Sequence, residues 1–329
     1  MDQLLWTQKQ DIGPSARSFV QMTYHAKRSR VVLFGGGAAD NSTFLNDTWE
    51  WNGQDWTQVS DIGPSVRSRH ALAYDSKRQR VILFGGVGGG TSSLTFLNDT
   101  WEWDGSDWTQ VADTGPGPRA GHSMVYDSKR ERVVLFGGNA NNACLADTWA
   151  WDGTDWTQEQ DAGPTPRTCH GMCFDTERGR IVLFGGESFS FTQVTETVKD
   201  GGIPGAFGAT HTVTNTVLNT LFLDDTWEYD GLAWTRVADT GPEARIGAGL
   251  IYNGKTSLLF GGWQNNNAFK NTWEWDGKHW TQRQDIGPAG RGFAGSAFDI
   301  SRERFVVFGG STPTQTFFAD TWEQFWREV

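Results

Sequence analysis

Six copies of the tripeptide Phe-Gly-Gly recur along this 329-residue chain. Successive first glycines lie 50, 52, 48, 76 and 48 residues apart. Intervals of this size are typical of β-propeller blades, each of which is a four-stranded sheet. The spacing therefore predicts six similar units, with one insertion in the fourth. The six copies are Phe34-Gly35-Gly36, Phe84-Gly85-Gly86, Phe136-Gly137-Gly138, Phe184-Gly185-Gly186, Phe260-Gly261-Gly262 and Phe308-Gly309-Gly310.

The second unit has the clearest strand pattern. Residues 67–74 are predicted to form a first strand. The run at 81–84 is continuous and apolar, as expected of a strand that is covered on both faces. Trp101 and Trp103 lie two residues apart and therefore share one face of a third strand. The turn pair Asp104-Gly105 then leads into a fourth strand. Each unit is thus predicted to be an antiparallel four-stranded sheet.

Six such sheets must pack radially to bury their apolar faces and limit their exposed edges. We therefore predict an all-β fold in which residues 1–329 form a single six-bladed propeller domain. Sixteen of the 18 tryptophans fall into three repeat columns, which assigns them to packing. The sixth blade lacks an outer strand after Trp322, whereas residues 4–8 resemble an outer strand with no blade before it. We expect this N-terminal strand to complete the C-terminal blade.

The repeated glycine pair resembles the kelch-repeat family. The accessory marks also fit: an arginine before each pair, then Asp/Asn-Thr-Trp, then a Trp-Thr, as at Arg67, Trp101 and Trp108. The resemblance covers essentially the whole chain and is specific for the fold. It implies little about function, because kelch propellers include protein scaffolds, sugar mutarotases, lectins, a copper oxidase and iron-assisted specifier proteins.

Composition narrows the classes of partner. A formal net charge of −11 without a Lys/Arg run argues against nucleic acid, since phosphate binding needs a concentrated basic patch. No segment approaches 18 uninterrupted apolar residues, so no membrane span is expected. Three cysteines do not indicate a disulfide framework, and residues 1–8 lack the features of a signal peptide. We therefore expect a soluble, cytoplasmic protein, although a signal peptide removed earlier would leave no trace.

A feature shared by all six units serves the blade, whereas a site for one ligand must break the sixfold pattern. The arginine that recurs in every unit is therefore interpreted as structural, satisfying backbone or carboxylate groups between blades. Three residues after it the column reads Val20, His70, His122, His170, Ala248 and Ala294. Imidazoles thus cluster in blades two to four. Either they make local hydrogen bonds, or they form a three-histidine site for a divalent transition metal such as Zn, Fe or Cu, which the separation of the blades weakens.

One residue earlier the column reads Phe19, Arg69, Gly121, Cys169, Gly247 and Phe293. Arg69 is its only charged member. Kelch proteins that bind acidic peptides use arginines near this end of the innermost strand, so the resemblance implies that Arg69 is an anion anchor. The alternative is an ordinary surface arginine that points into solvent.

The fourth unit carries the insertion, at about 187–220. A loop of this length is usually functional or disordered. We interpret it as a lid over one mouth of the channel, with glycines at 201, 202 and 205 as hinges. Glu187 and His211 could then reach the channel, and residues 210–217 could add a hairpin.

Three further residues are candidate ligand contacts. Trp263 lies outside the repeat columns and is followed by Asn265, and an aromatic plate flanked by amides suits a sugar or an aromatic ligand. Trp263 could instead pack beneath the insertion. Asn141 is a candidate contact from blade three, or a turn residue.

Two functions are compatible with these observations. The first is a binding module that holds a small polar ligand, a glycan or a partner protein segment at the channel mouth, through Arg69, Trp263, Asn265, Asn141 and Glu187. The second is an isomerase, cyclase or lyase with a histidine-lined and metal-assisted pocket under the lid. Its candidate catalytic residues are His70, His122, His170 and His211.

Overall fold

The computed structural model describes residues 3–9, 12–40, 42–90, 93–160, 162–199, 210–284 and 286–327. They form six blades of four antiparallel strands each, as predicted. The one helical element in this part of the chain is a 3-10 turn at Ala26–Arg28, and no described helix is long and apolar enough to span a membrane.

The strands follow the order of the chain. Blade one contains Arg17–Ser18, Gln21–His25, Arg30–Ala38, Phe44–Trp51 and Trp56–Ser60. Blade two contains Arg67–Ser68, Ala71–Asp75, Arg80–Gly90, Ser93–Trp103 and Trp108–Ala112. Blade three contains Ser123–Asp127, Arg132–Phe136, Thr148–Trp151 and Trp156–Gln160, with a small hairpin of Asn139–Ala140 and Ala143–Cys144. Blade four contains Gly171–Asp175, Arg180–Phe184, Thr226–Tyr229 and Trp234–Ala238, with a long hairpin of Glu187–Lys199 and Thr210–Phe222. Blade five contains Gly249–Tyr252, Ser257–Phe260, Thr272–Trp275 and Trp280–Gln284, with a small hairpin of Trp263–Gln264 and Asn267–Ala268. Blade six contains Gly295–Asp299, Arg304–Phe308, Thr321–Arg327 and the N-terminal strand Gln3–Gln8.

The N-terminal strand closes the ring as the sequence predicts. It pairs antiparallel with Thr321–Arg327, from Gln3 opposite Arg327 to Gln8 opposite Trp322. Leu4 is buried, and the ring of Trp6 lies 4.8 Å from that of Phe260 in blade five. The first strand of the chain therefore contributes core contacts as well as backbone hydrogen bonds.

Each residue of the Asp-Thr-Trp motif has a separate structural role. In blade two, Asp99 accepts hydrogen bonds from the indole of Trp101 and from Arg67. The hydroxyl of Thr100 accepts the indole N–H of Trp156 from the outer strand of blade three, at 2.9 Å. The threonine thus links neighbouring blades, while the aspartate organises its own blade.

The repeated arginine is structural, but the prediction that its side chain acts between blades is wrong. Arg67 binds both carboxylate oxygens of Asp99, at 2.7 and 2.8 Å, and the backbone oxygen of Gly85, all within blade two. The link to the neighbouring blade runs through the backbone, because Gly86 N donates to the carbonyl of Arg119. The same carboxylate pairing joins Arg17 to Asp47, Arg119 to Asp147, Arg167 to Asp225 and Arg291 to Asp320.

The glycine pair is required by both conformation and space. Gly85 and Gly86 have φ values of 61° and 101°. A Cβ on Gly86 would lie 2.7 Å from the backbone oxygen of Ser68, and one on Gly85 would lie 2.9 Å from that of Arg119. Backbone atoms cannot yield as a flexible side chain can, so both positions need glycine.

Candidate functional site

One end of the channel is bounded by six residues that we call the rim: Phe19, Arg69, Gly121, Cys169, Gly247 and Phe293. All six have a left-handed backbone, with φ between 53° and 66°. The predicted strand at 67–74 is therefore broken at Arg69, between Arg67–Ser68 and Ala71–Asp75. The other blades turn at the equivalent position.

A closed circuit of backbone hydrogen bonds holds the rim. Each rim residue donates its N–H to the carbonyl of the rim residue in the preceding blade, over distances of 2.7 to 3.2 Å. The circuit returns from Phe19 N to the carbonyl of Phe293, which joins blade one to blade six. This circuit stabilises the left-handed backbone, because every rim N–H and carbonyl is satisfied by a neighbour.

The rim carries side chains where glycine would fit best. The left-handed conformation costs a residue with a Cβ about 1–2 kcal/mol, and glycine avoids this cost. Blades three and five have Gly121 and Gly247, but the other four blades hold phenylalanine, arginine or cysteine there. Strained positions of this kind are enriched at functional sites, so these side chains are the first candidates for a ligand contact.

Arg69 lies exposed at the rim, with its guanidinium 4.4 Å from the centre of the Phe19 ring. Among the described residues, its guanidinium has no hydrogen-bond or ion-pair partner. Stacking on a ring face leaves the planar edge of N–H donors available, and this edge matches a carboxylate. The donor edge of Arg69 is therefore not occupied by any other described residue.

Aromatic rings continue along the rim. Phe19 and Phe293 have ring centres 4.1 Å apart, and Trp263 meets Phe293 edge-on at 5.3 Å. The indole of Trp263 lies over Gly292, where an added Cβ would come 2.2 Å from its Cδ1 atom. The structure thus brings the predicted Trp263 next to the rim, in contact with blade six.

Two cavities adjoin the rim. A narrow one of about 140 Å³ continues into the channel, where Met22, Met124 and Met172 are among its lining residues. A wider one of about 420 Å³ opens between blades one and two, with Phe19 and Arg69 at its inner end. We call the second cavity the groove.

The three aligned histidines line the channel cavity, and their rings are wedged between neighbouring blades. His70, His122 and His170 are buried, and each ring packs edge-on against the Phe-Gly-Gly phenylalanine of the preceding blade, at 5.3 to 5.5 Å. Burial lowers the pKa of all three, to about 3 for His122. Neutral, wedged imidazoles of this kind pack the interface between blades.

The described residues do not form a metal-binding cluster. No group of three or more His, Cys, Asp or Glu side chains in the described ranges is placed to bind an ion, and this includes the three aligned histidines. The side chain of His211, which was the fourth catalytic candidate, lies outside the described residues.

Glu187 and the half-buried cysteines form a polar patch beside the rim. Burial raises the pKa of Glu187, and the charge of Arg69 partly opposes this effect. Burial raises the pKa of Cys169 to about 11, so its thiol is protonated at neutral pH and is a weak nucleophile. Cys144 Sγ lies 3.8 Å from the carbonyl of Glu187. The patch is close enough to Arg69 to interact with it electrostatically.

The blade-four insertion is a two-stranded ribbon rather than a structureless loop. Glu187–Lys199 pairs with Thr210–Phe222 in continuous register, so residues 210–217, for which a hairpin was predicted, form part of one strand of this ribbon. Side chains at 190–196 are exposed on both faces, so this part of the ribbon does not pack over the mouth. The glycines predicted as hinges, at 201, 202 and 205, lie outside the described residues. The lid stays a prediction.

The two asparagine candidates occupy the tips of small hairpins. Asn141 and Asn265 are exposed and have φ values of 47° and 52°. Asparagine tolerates this left-handed conformation better than most residues, which accounts for both positions. Neither lines the channel cavity or the groove.

Sequence reasoning missed the wall of the groove. Phe44, Phe96 and Phe317 line it, and each is followed by an apolar residue. An available signal was the column Phe44, Phe96, Cys144, Phe222, Ala268 and Phe317, in which four residues are aromatic and three of these four belong to the contiguous blades six, one and two.

Comparison with known proteins does not assign a family. No protein-family model matches the chain, and no curated protein matches it.

Proposed function

We propose that this propeller is a binding module of the kelch type, which holds a small ligand with an anionic group at the rim through Arg69. The observation that carries the proposal is the left-handed backbone at four rim positions with side chains. Blades three and five accept glycine at the same point in the circuit. Keeping Arg69 where glycine would be less strained is explained if the side chain has a function.

The environment of Arg69 supports this assignment. The guanidinium is exposed, stacked on Phe19 and adjacent to the groove. The net charge of the chain is −11, so a local cation that forms no ion pair among the described residues is the feature that would select an anion. The kelch-type assignment is supported by the glycine pairs and by the arginine–aspartate pairing. Three free cysteines support a reducing compartment such as the cytoplasm.

The enzymatic alternative has less support. Imidazoles that act as general acids or bases need access to substrate and a pKa near the working pH. His70, His122 and His170 are buried between blades with lowered pKa values. Each imidazole packs against a phenylalanine of the preceding blade, which supports a structural role.

The proposal is tested by thermal stabilisation with small probes. Acetate, benzoate, inorganic phosphate and the neutral sugar glucose are titrated against the wild type, Arg69→Gln and Arg69→Lys. A carboxylate should stabilise the wild type most, Arg69→Lys less and Arg69→Gln least, because lysine keeps the charge but loses the planar fork. Lys278→Gln, which removes one exposed charge at a blade-five turn, is the matched control and should behave as the wild type.

The opposite pattern would reject the proposal. If no anion stabilises the wild type more than it stabilises Arg69→Gln, Arg69 is an ordinary surface arginine.

A further inference from the structure

The groove beside Arg69 is built by unusually long hairpins. In blade one the pairing beyond the glycines reaches Gly37 opposite Phe44, and in blade two Val87 lies opposite Phe96. Phe44 and Phe96 consequently line the walls of the groove, which encloses about 420 Å³. Volumes of this size are typical of small-molecule sites.

The lining of the groove is mostly apolar. Phe317 from blade six and Leu94 join the two hairpin phenylalanines, and Leu94 has 60% of its surface exposed. An exposed leucine beside aromatic rings gains stability when an apolar body covers it. The aromatic residues of the groove come from blades six, one and two.

Few polar side chains line the groove. Arg69 is the only charged side chain among the described lining residues, and the others with polar side chains are Ser18, Ser42, Thr43 and Ser68. A sugar needs several directional partners, which amide and carboxylate side chains usually supply, and no described residue that lines this groove has such a side chain. A dianion would need a second cation. The lining instead matches one negative group joined to an apolar body.

We propose that the ligand is an amphipathic monocarboxylate, with its carboxylate on Arg69 and its aromatic or aliphatic body in the groove against Phe44, Leu94 and Phe96. This inference rests on the proposed function and adds the class of ligand. The carboxylate accepts two parallel N–H bonds from the guanidinium edge, while the ring of Phe19 supports the other side of that plane.

The test uses three probes in isothermal titration calorimetry. 4-Phenylbutyrate has both parts of the ligand, 4-phenylbutan-1-ol lacks the charge, and glucuronate lacks the apolar body. The wild type should bind 4-phenylbutyrate more tightly than either of the others. Arg69→Gln should weaken 4-phenylbutyrate about tenfold or more, since a hydrogen-bonded charge is lost.

The groove is tested separately with Leu94→Ser. This change should weaken 4-phenylbutyrate by roughly three- to tenfold, through lost apolar burial, and leave glucuronate unchanged. Leu232→Ser is the matched control, because Leu232 is 74% exposed in a blade-four turn and does not line the groove. It should bind all three probes as the wild type does.

The outcomes separate the two proposals. If Arg69→Gln weakens both acids equally, glucuronate matches 4-phenylbutyrate and Leu94→Ser has no effect, the ligand class is wrong and the anion site stands. If 4-phenylbutanol binds as well as the acid and Arg69→Gln has no effect, the anion site itself is wrong. Absence of binding by 4-phenylbutyrate overturns the monocarboxylate inference.

Discussion

Blade five lacks the carboxylate that the other five blades use, and restoring it should stabilise the protein. Arg245 is 1% exposed and meets Asn271 where the other repeated arginines meet aspartate. Its Nη1 donates to Asn271 Oδ1 at 2.8 Å, but Nη2 is buried without a partner among the described residues. The variant Asn271→Asp would supply the second oxygen and the missing negative charge.

The gain can be worked from the structure. Burial lowers the pKa of Arg245 from 12.5 to about 10, so the site disfavours the charge by about 3 kcal/mol. The new carboxylate must itself be desolvated, which offsets part of the gain. We expect the free energy of unfolding to rise by about 2 kcal/mol. With about 2.1 cal/mol/K of unfolding entropy per residue, this raises Tm by about 3 °C.

The gain should depend on pH with a defined sign. In the other blades burial alone raises the pKa of the aspartate, as at Asp99, but Arg67 and Trp101 outweigh it and the net pKa is lowered. A carboxyl group whose pKa is lower in the folded than in the unfolded protein stabilises the fold at pH values above its unfolded pKa of about 3.9. This stabilisation is lost as the pH falls through the folded pKa. The advantage of Asn271→Asp should therefore be full at pH 7 and disappear in acid.

The assay is urea unfolding at pH 7 and again near pH 3, with Asp99→Asn as the reciprocal variant. Asp99→Asn gives blade two the arrangement of blade five and should lower the free energy of unfolding by about 3 kcal/mol or more. A neutral or destabilising Asn271→Asp at pH 7, or a gain that persists in acid, would refute the charge argument.

Three further predictions concern the blades and the ring. Burial lowers the pKa of His70, His122 and His170, so below pH 6.5 the unfolded chain binds protons that the folded protein does not. The free energy of unfolding, measured in urea, should therefore fall by up to about 4 kcal/mol per pH unit between pH 6.5 and 5. A flat profile would contradict this. Deleting residues 1–9 removes the outer strand of blade six, which pairs with its third strand. Near-ultraviolet circular dichroism should then show lost tertiary structure. A variant that melts like the full chain would argue against closure by this strand. Thr148→Val removes the acceptor of the Trp234 indole and should lower the free energy of unfolding by about 1–3 kcal/mol. The control is Thr272→Val, which should cost less because the Thr272 hydroxyl accepts only from a glutamine amide, at 3.4 Å. Equal costs would reject the role of the indole bond.

The ring could be predicted from the sequence because its contacts repeat. Each Phe-Gly-Gly satisfies the same steric demand, so six copies of one local constraint are visible as a pattern. Closure by residues 3–8 was visible for the same reason, as a repeat element out of place. The sequence predicted that the repeated arginine binds backbone or carboxylate groups. It did not reveal that these groups belong to the same blade rather than to a neighbouring one.

The candidate site was harder to predict because it depends on backbone conformation. Arg69 was found as a departure from symmetry, but its left-handed φ value is invisible when the residue is not glycine. The groove arises from hairpin length and register in blades one and two, which set where Phe44 and Phe96 point. The burial of the histidines and their contacts with phenylalanines of the preceding blades are likewise invisible in the sequence.

The free-energy cost of the left-handed backbone at position 69 can be measured by comparing the stability of Arg69→Ala with that of Arg69→Gly. Both variants lack the guanidinium, and they differ only in the Cβ that the left-handed backbone disfavours. Arg69→Gly should be the more stable of the two by about 1 kcal/mol, while both lose carboxylate binding equally.

Thr57 provides the matched control, because it is exposed in the extended outer strand of blade one. There the order should reverse, with Thr57→Gly about 0.5–1 kcal/mol less stable than Thr57→Ala, since glycine gains nothing from an ordinary strand and loses more entropy on folding. If Arg69→Gly is also the less stable member of its pair, the rim carries no strain at this position. In that case backbone strain would give no reason to assign a function to Arg69, and the assignment would depend on the binding experiments alone.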